Sequence, residues 1–208
     1  MQHLKFEEYN TSINQYPVVI SIPHSGIWIP TEMKAKLKKD LILPNSDWYL
    51  PDFYDFLREQ QYTVLMNPVN RYVIDVNRDR IREGDSYKTN LIYTHTTQDD
   101  EMYEVLPDEK EIQECIDNFY VPYHRRLEQL LVEKKKHFPK VYLLDLHSFG
   151  LNFGADILLG SSFGTSCSDE FLKKMEQLCS KQGFSVKCNQ EYAGGYITRH
   201  YGRQELGY

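Results

Sequence analysis

Short runs of β-branched and aliphatic residues alternate along the chain with stretches of helical periodicity. Pro17-Val18-Val19-Ile20-Ser21-Ile22, closed by Pro23, predicts a buried strand. Tyr62–Met66, Tyr72–Val76, Val141–Leu146, Ala155–Gly160 and Phe184–Lys187 predict five more. Between them, Thr31–Lys39 predicts a charged helix with Thr31 as its N-cap, and Asp47–Gln60 an amphipathic one. Residues 108–137 carry Ile112, Ile116, Phe119, Tyr120, Tyr123, Leu127, Leu130 and Leu131 at helical spacing. Pro122 is expected to begin a second helix there or to kink the first. Ser168–Gln182 predicts another helix, and residues 79–104 form the longest polar, aperiodic stretch. Aliphatic strands alternating with helices predict an α/β fold with a mixed, mostly parallel sheet.

Composition narrows the class. A chain of 208 residues argues for a single domain over 1–208, large enough to fold without a metal or disulfide. Its 24 basic and 30 acidic residues give a net charge of -6, which argues against nucleic acid as a partner through bulk charge. No apolar run reaches the ~18 residues of a membrane span, and the N-terminus has no basic segment followed by an apolar one. The expectation is a cytoplasmic protein with no membrane partner. Four cysteines without a CxxC pair read as reduced thiols rather than a zinc site. The 16 tyrosines are expected at rims of the core or of a cleft, since each hydroxyl wants a partner.

In α/β sheets ligands gather beyond the carboxyl ends of the strands. Those positions here hold Pro23-His24-Ser25-Gly26, Asn70-Arg71, Asn77-Arg78 and, after Asp145, His147-Ser148. Two histidines at the ends of two buried strands can converge on one ion, leaving room for a carboxylate and a water. Asp145, inside an apolar strand, needs a partner or a function to offset its burial. Two arginines beside such a site suggest an acidic substrate, because a guanidinium binds a carboxylate in bidentate fashion. Bland readings stand beside these. A lone histidine after a strand is more often structural, and Arg71 and Arg78 can pair with Asp75 or Asp79 at the surface. His95, His124 and His137 read as solvated.

Taken together, these motifs resemble the N-formylglutamate amidohydrolase family, relatives of zinc carboxypeptidases and aspartoacylases. The matching pieces are Pro23-His24-Ser25-Gly26 with Pro30, Ser46-Asp47, the stretch from Asn70 to Arg78, Asp145-Leu146-His147-Ser148, Asp156 to Gly160 and Gly194 to Gly202. They come in the family's order across positions 18 to 202. The resemblance implies a three-layer, zinc-carboxypeptidase-like fold and Zn2+ as cofactor, with His24 and His147 as zinc ligands. Asp47 is the expected third ligand, with Asp145 as the fallback. Asn77 and Arg78 resemble the pair that grips a substrate carboxylate, and Arg71 the arginine that stabilises the oxyanion. Ser25, Thr198 and His200 are implied on the substrate side, the last two in a glycine-rich loop at Gly194-Gly195.

One departure stands out. The family's general base, a glutamate in a strand beyond the Gly-Gly-Tyr-Ile-Thr region, has no counterpart before Tyr208. The resemblance therefore implies either a longer chain or a substitute, Glu205 or Glu191. The implied function is zinc-dependent hydrolysis of a small N-acyl acidic amino acid, N-formylglutamate first, giving formate and glutamate in histidine breakdown. The rivals are a zinc peptidase or other deacylase on the same scaffold, and a metal- and ligand-binding protein without turnover.

Overall fold

The structure, a computed structural model, describes residues 5–81 and 90–207, so residues 82–89 of the polar stretch 79–104 lie outside the described residues. Among the described residues six strands, β1 (Glu7–Tyr9), β2 (Val18–Ile22), β3 (Thr63–Met66), β4 (Tyr142–Asp145), β5 (Ile157–Leu159) and β6 (Val186–Cys188), form two sheets. The first has the order β1-β3-β2-β4, with β1 antiparallel to β3 and the other pairs parallel. The second is the parallel pair β5-β6. Ser21 lies opposite Asp145 and Ile22 opposite Met66, so β2, β3 and β4 all end on the same side.

The alternation along β2 and β3 sorts the core into two layers. Val19 and Leu65 face one cluster, which includes Phe119, Tyr123, Leu127 and Leu131. Ile20, Ile22, Val64 and Met66 face the other, with Leu50 and Leu57. Helices thus cover both faces of the mixed, mostly parallel sheet. On the first face they are α4 (Glu109–Cys115) and α5 (Val121–Lys135), joined through a π-helical stretch at Ile116–Tyr120. Asp108 and Glu111 close a capping box at the start of α4, and Pro122 enters the first turn of α5, where its missing N–H costs no bond.

Several elements differ from the pattern-based expectation. Pro30, not Thr31, caps the one-turn helix α1 (Thr31–Lys34). Residues 47–60 form two short helices, α2 (Leu50–Phe53) and α3 (Phe56–Glu59), because the chain leaves helical geometry at Tyr54. Tyr72–Val76 is no strand: it is a buried turn whose side chains complete the larger core cluster. Such apolar runs cannot be told from strands by periodicity alone. The Gly194-Gly195 segment leads into a helix, α7 (Tyr196–Tyr201), rather than an open loop. Among the four free cysteines only Cys115 is fully buried.

Packing is uneven along the chain. From 142 to 196 no apolar residue is fully buried: β4, β5 and β6 are half-buried throughout, and α6 (Asp169–Lys181) buries none of its side chains completely. The dense core lies almost entirely before Val141.

Candidate metal centre

The common direction of β2 and β4 carries His24 and His147 out of the same end of the sheet, with ring centroids 4.8 Å apart. The backbone N–H of Asp47 donates to His24 O (3.1 Å), which brings a third donor alongside. Ligating atoms of His24, Asp47 and His147 lie within 4.8 Å of one another. Two residues past His24, Gly26 runs against the neighbouring backbone, where a Cβ would overlap Pro68 and Val69.

A carboxylate stands behind each histidine. His24 Nε2 lies 2.7 Å from Asp75 Oδ1, and His147 Nε2 lies 3.0 Å from Asp145 Oδ2. His147 Nδ1 faces Asp47 Oδ2 at 3.2 Å. Such pairs fix ring orientation and leave the opposite nitrogen for an ion. Asp145 is held in turn by the Ser21 hydroxyl, which donates to Oδ1 (2.6 Å) and lies 2.9 Å from the Tyr123 hydroxyl. Ser148 donates to the other oxygen of Asp47 (2.9 Å).

The two rings differ in charge. Burial, followed by the Arg71 charge, pushes His24 below its ordinary range despite Asp75, so it stays neutral. At His147 burial is outweighed by the Asp145 and Asp47 carboxylates, which raise it to about 10. Occupancy by an ion therefore requires His147 to release a proton.

Asp75 is the hub of the neighbouring cluster. Fully buried, it accepts from the Asn77 N–H (2.8 Å), Arg71 Nη2 (3.0 Å) and the Tyr93 hydroxyl (2.8 Å), and Arg78 Nε lies 3.6 Å away. Burial alone raises a carboxyl, yet the contact with His24 and the charge of Arg71 hold Asp75 well below its usual range. The surface pairing expected for Arg71 and Arg78 is thus a buried one. Sequence reasoning did not find Tyr93, which lies in the aperiodic stretch and carried no motif. Its hydroxyl accepts from both arginines (3.0 and 3.3 Å) and burial pushes it up to about 12. The Nε of each guanidinium is buried without a hydrogen bond, although that of Arg78 stays within ion-pair range of Asp75.

The remaining candidates disperse. Asn77 is buried between donors and acceptors of the fold: its Nδ2 donates to Asp145 (3.1 Å) and lies 3.1 Å from His147, while its Oδ1 accepts from the Ile197 N–H (2.8 Å). It ties α7 to the histidine rather than presenting its amide to a cleft. Ser25 is buried beside His24. Thr198 sits half-buried within α7, and His200 stacks on Tyr196 (4.9 Å, 21°) facing a separate cavity. Glu205 corrects the expectation of a substitute base. It is exposed on a 3-10 turn (Gln204–Leu206), and Gly207 O accepts from the Val141 N–H at the start of β4. His147 lies past the other end of that strand, roughly 20 Å away at ~3.3 Å per residue. Glu191 is exposed, with a left-handed backbone (φ 49).

His124 is not solvated. Its Nε2 donates to Val76 O (2.9 Å), Tyr201 OH lies 2.9 Å from Nδ1, and burial lowers it to about 4. A histidine depressed in the fold stabilises it fully above the unfolded value of ~6.5 and loses that contribution as pH falls from there towards 4. We expect wild type to lose on the order of 2 kcal/mol between pH 6.5 and 4 through this group. Urea unfolding against pH should show that a His124→Gln variant lacks this component; identical pH profiles would contradict it.

Comparison with known proteins agrees with this architecture. The family model described as N-formylglutamate amidohydrolase matches residues 16–208. A protein from Pseudomonas aeruginosa named N-formylglutamate deformylase is 31% identical over 202 residues, covering 91% of this chain and 76% of that one. A Pseudomonas putida protein of the same name is 29% identical over 199 residues, covering 89% and 74%. The crystal structure of an N-formylglutamate amidohydrolase from Ralstonia eutropha superposes with a TM-score of 0.83 at 22% identity, over 97% of this chain and 82% of that one. A gene product from Agrobacterium tumefaciens superposes with a TM-score of 0.71 at 20% identity, over 90% and 72%. At these identities the two structures speak for the fold. With nearly the whole chain matched, this protein belongs to the N-formylglutamate amidohydrolase family.

Proposed function

We propose that the chain is a zinc-dependent amidohydrolase that cleaves N-formylglutamate to formate and glutamate. The observation that carries this reading is the His24, Asp47 and His147 group, in a chain whose relatives are named for that reaction. Two imidazole nitrogens and one carboxylate oxygen are the donor set of hydrolytic zinc sites with an open position, and the neutral state of His24 suits ligation. A zinc ion held there supplies a Lewis acid and an acidified water.

The chain's own residues do the rest. Asp75 and Asp145 hold the two imidazoles through Nε2, so that Nδ1 of each points into the site. Arg71 and Arg78 converge on Asp75 with a net positive charge. Arg78, one-third exposed, takes the substrate α-carboxylate, and the more deeply set Arg71 faces the formyl oxygen. Tyr93 keeps both guanidiniums in place. This assignment supports a role in histidine breakdown. Among the described residues no helix is long and apolar enough to cross a membrane.

A direct test is an assay of the zinc-loaded protein with N-formylglutamate and with short peptides. Equimolar formate and glutamate, with one metal ion per chain and loss of turnover on chelation, is the expected result. Turnover of peptides instead would move the assignment to a peptidase, and ligand binding without formate release would remove the activity.

A further inference from the structure

The helical layer over the larger core carries an irregularity beside the centre. The Val121 N–H donates to Ile116 O, five residues back, so the turn over Ile116–Tyr120 is wider than an α-turn. Cys115, Phe119, Tyr123 and Leu127 are all buried at four-residue spacing, which on a regular α-helix drifts about 40° per step. The wider turn takes up part of that drift. Such π-turns inside helices are frequent at functional sites. Here Tyr120, Tyr123 and His124, at i, i+3 and i+4, share one face just where the helix resumes.

That face reaches both halves of the centre. On the arginine side, the Tyr120 hydroxyl donates to Arg78 O (2.7 Å) and His124 Nε2 to Val76 O (2.9 Å). The carbonyl between them, Asn77 O, accepts from the Tyr196 N–H of α7 (3.2 Å). Three successive carbonyls are held, so the turn that aims Arg78 is fixed at its backbone. On the metal side, the Tyr123 hydroxyl meets Ser21 Oγ at 2.9 Å. Ser21 gives its one hydrogen to the Asp145 carboxylate, so the hydrogen between the two hydroxyls comes from Tyr123. The chain then runs from Tyr123 through Ser21 to Asp145, whose other oxygen holds His147 (3.0 Å). Tyr123 and Ser21 are fully buried, where solvent does not replace a lost partner.

We infer that Tyr120 and Tyr123 are positioning residues, the first acting through Arg78 and the second through Ser21 and Asp145 on His147. The face of α5 that carries them is the rigid element that keeps the substrate-binding and metal-binding halves in register. The inference rests on the deformylase reading and deepens it, since neither hydroxyl touches substrate or metal.

Tyr120→Phe and Tyr123→Phe each keep the ring and remove one hydroxyl. Chelator competition for zinc and steady-state kinetics of the zinc-loaded full chain on N-formylglutamate separate their effects. Tyr120→Phe should raise KM about fivefold, the worth of one hydrogen bond, with kcat and zinc affinity within about twofold. Tyr123→Phe should weaken zinc binding about tenfold, the low end for groups standing behind a ligand, with KM within about twofold at saturating zinc. Tyr103→Phe is the control: it removes a buried hydroxyl of the same core that has no hydrogen-bond partner among the described residues, and should move neither quantity. Lower melting temperatures without this crossed pattern, or both variants shifting KM and zinc affinity together, overturn the inference. A wild type that binds zinc but releases no formate removes the deformylase reading instead. The zinc titrations then decide alone: weakening confined to Tyr123→Phe upholds its positioning role, and equal affinity in Tyr123→Phe and wild type overturns it.

Discussion

His24→Ala is expected to abolish stoichiometric metal binding and to lower formate release by more than about 10³-fold, more than the loss of a single oxyanion donor costs. The reasoning is geometric. His24 contributes one of the three donors that lie within 4.8 Å of one another among the described residues, and its ring is already aimed by Asp75. Removing it leaves Asp47 and His147, which then keep their own contact at 3.2 Å and have less reason to part around an ion. Asp75 retains Arg71, Tyr93 and the Asn77 N–H, so the surrounding fold should persist. Metal analysis and a circular dichroism melt on the same sample separate the two outcomes. One equivalent of tightly bound zinc in a folded His24→Ala protein would sink the three-residue centre.

Arg71→Ala should damage stability and activity together. Asp75 is completely buried and Arg71 is only 14% exposed, so the variant leaves a buried carboxylate short of one of its counter-charges. Breaking such a pair costs about 3–5 kcal/mol, and the lower end applies because Arg78, Tyr93 and His24 remain. For a chain of this size that corresponds to a Tm lower by roughly 6–12 °C. The pH dependence has a definite sign. A carboxyl depressed in the fold stabilises it above its unfolded range and loses that effect as pH falls through the folded value. With Arg71 gone the depression shrinks, so acid unfolding should begin at higher pH than in wild type. Turnover should drop about 10²–10³-fold if Arg71 supports the oxyanion, and Arg71→Lys should recover stability better than rate. A melt within about 2 °C of wild type would show that Arg78 and Tyr93 suffice for Asp75.

Much of this was legible in the chain because strand ends announce themselves. The Val/Ile run before His24 and the Leu-Leu-Asp-Leu run before His147 both read as buried strands, and parallel pairing puts their last residues side by side. What pattern could not supply was direction within a turn. Tyr72–Val76 has the residue types of a strand, yet the backbone curls so that the Asp75 carboxylate can meet His24, Arg71 and Tyr93 at once. Burial, the property that periodicity detects, is the same in both cases. Tyr93 was invisible for the opposite reason: it lies in a polar stretch, and its importance comes only from which hydroxyl neighbours the fold brings. Glu205 shows the limit of counting along the chain. It follows the glycine-rich motif closely, but α7 and the return to Val141 carry it to the far end of β4.

The thin burial between residues 142 and 196 bears on how the molecule opens. Segments with few fully buried apolar groups exchange their amide protons through sub-global openings far cheaper than complete unfolding. Amides of β5, β6 and α6 should therefore exchange ahead of those in β2, β3 and α5. His147 stands at the seam, at the end of β4, while its two companions belong to the segment before it. Any ligand that spans the three acts as a latch across the two regions, and mass action then transfers part of its binding energy into slower opening of the looser one.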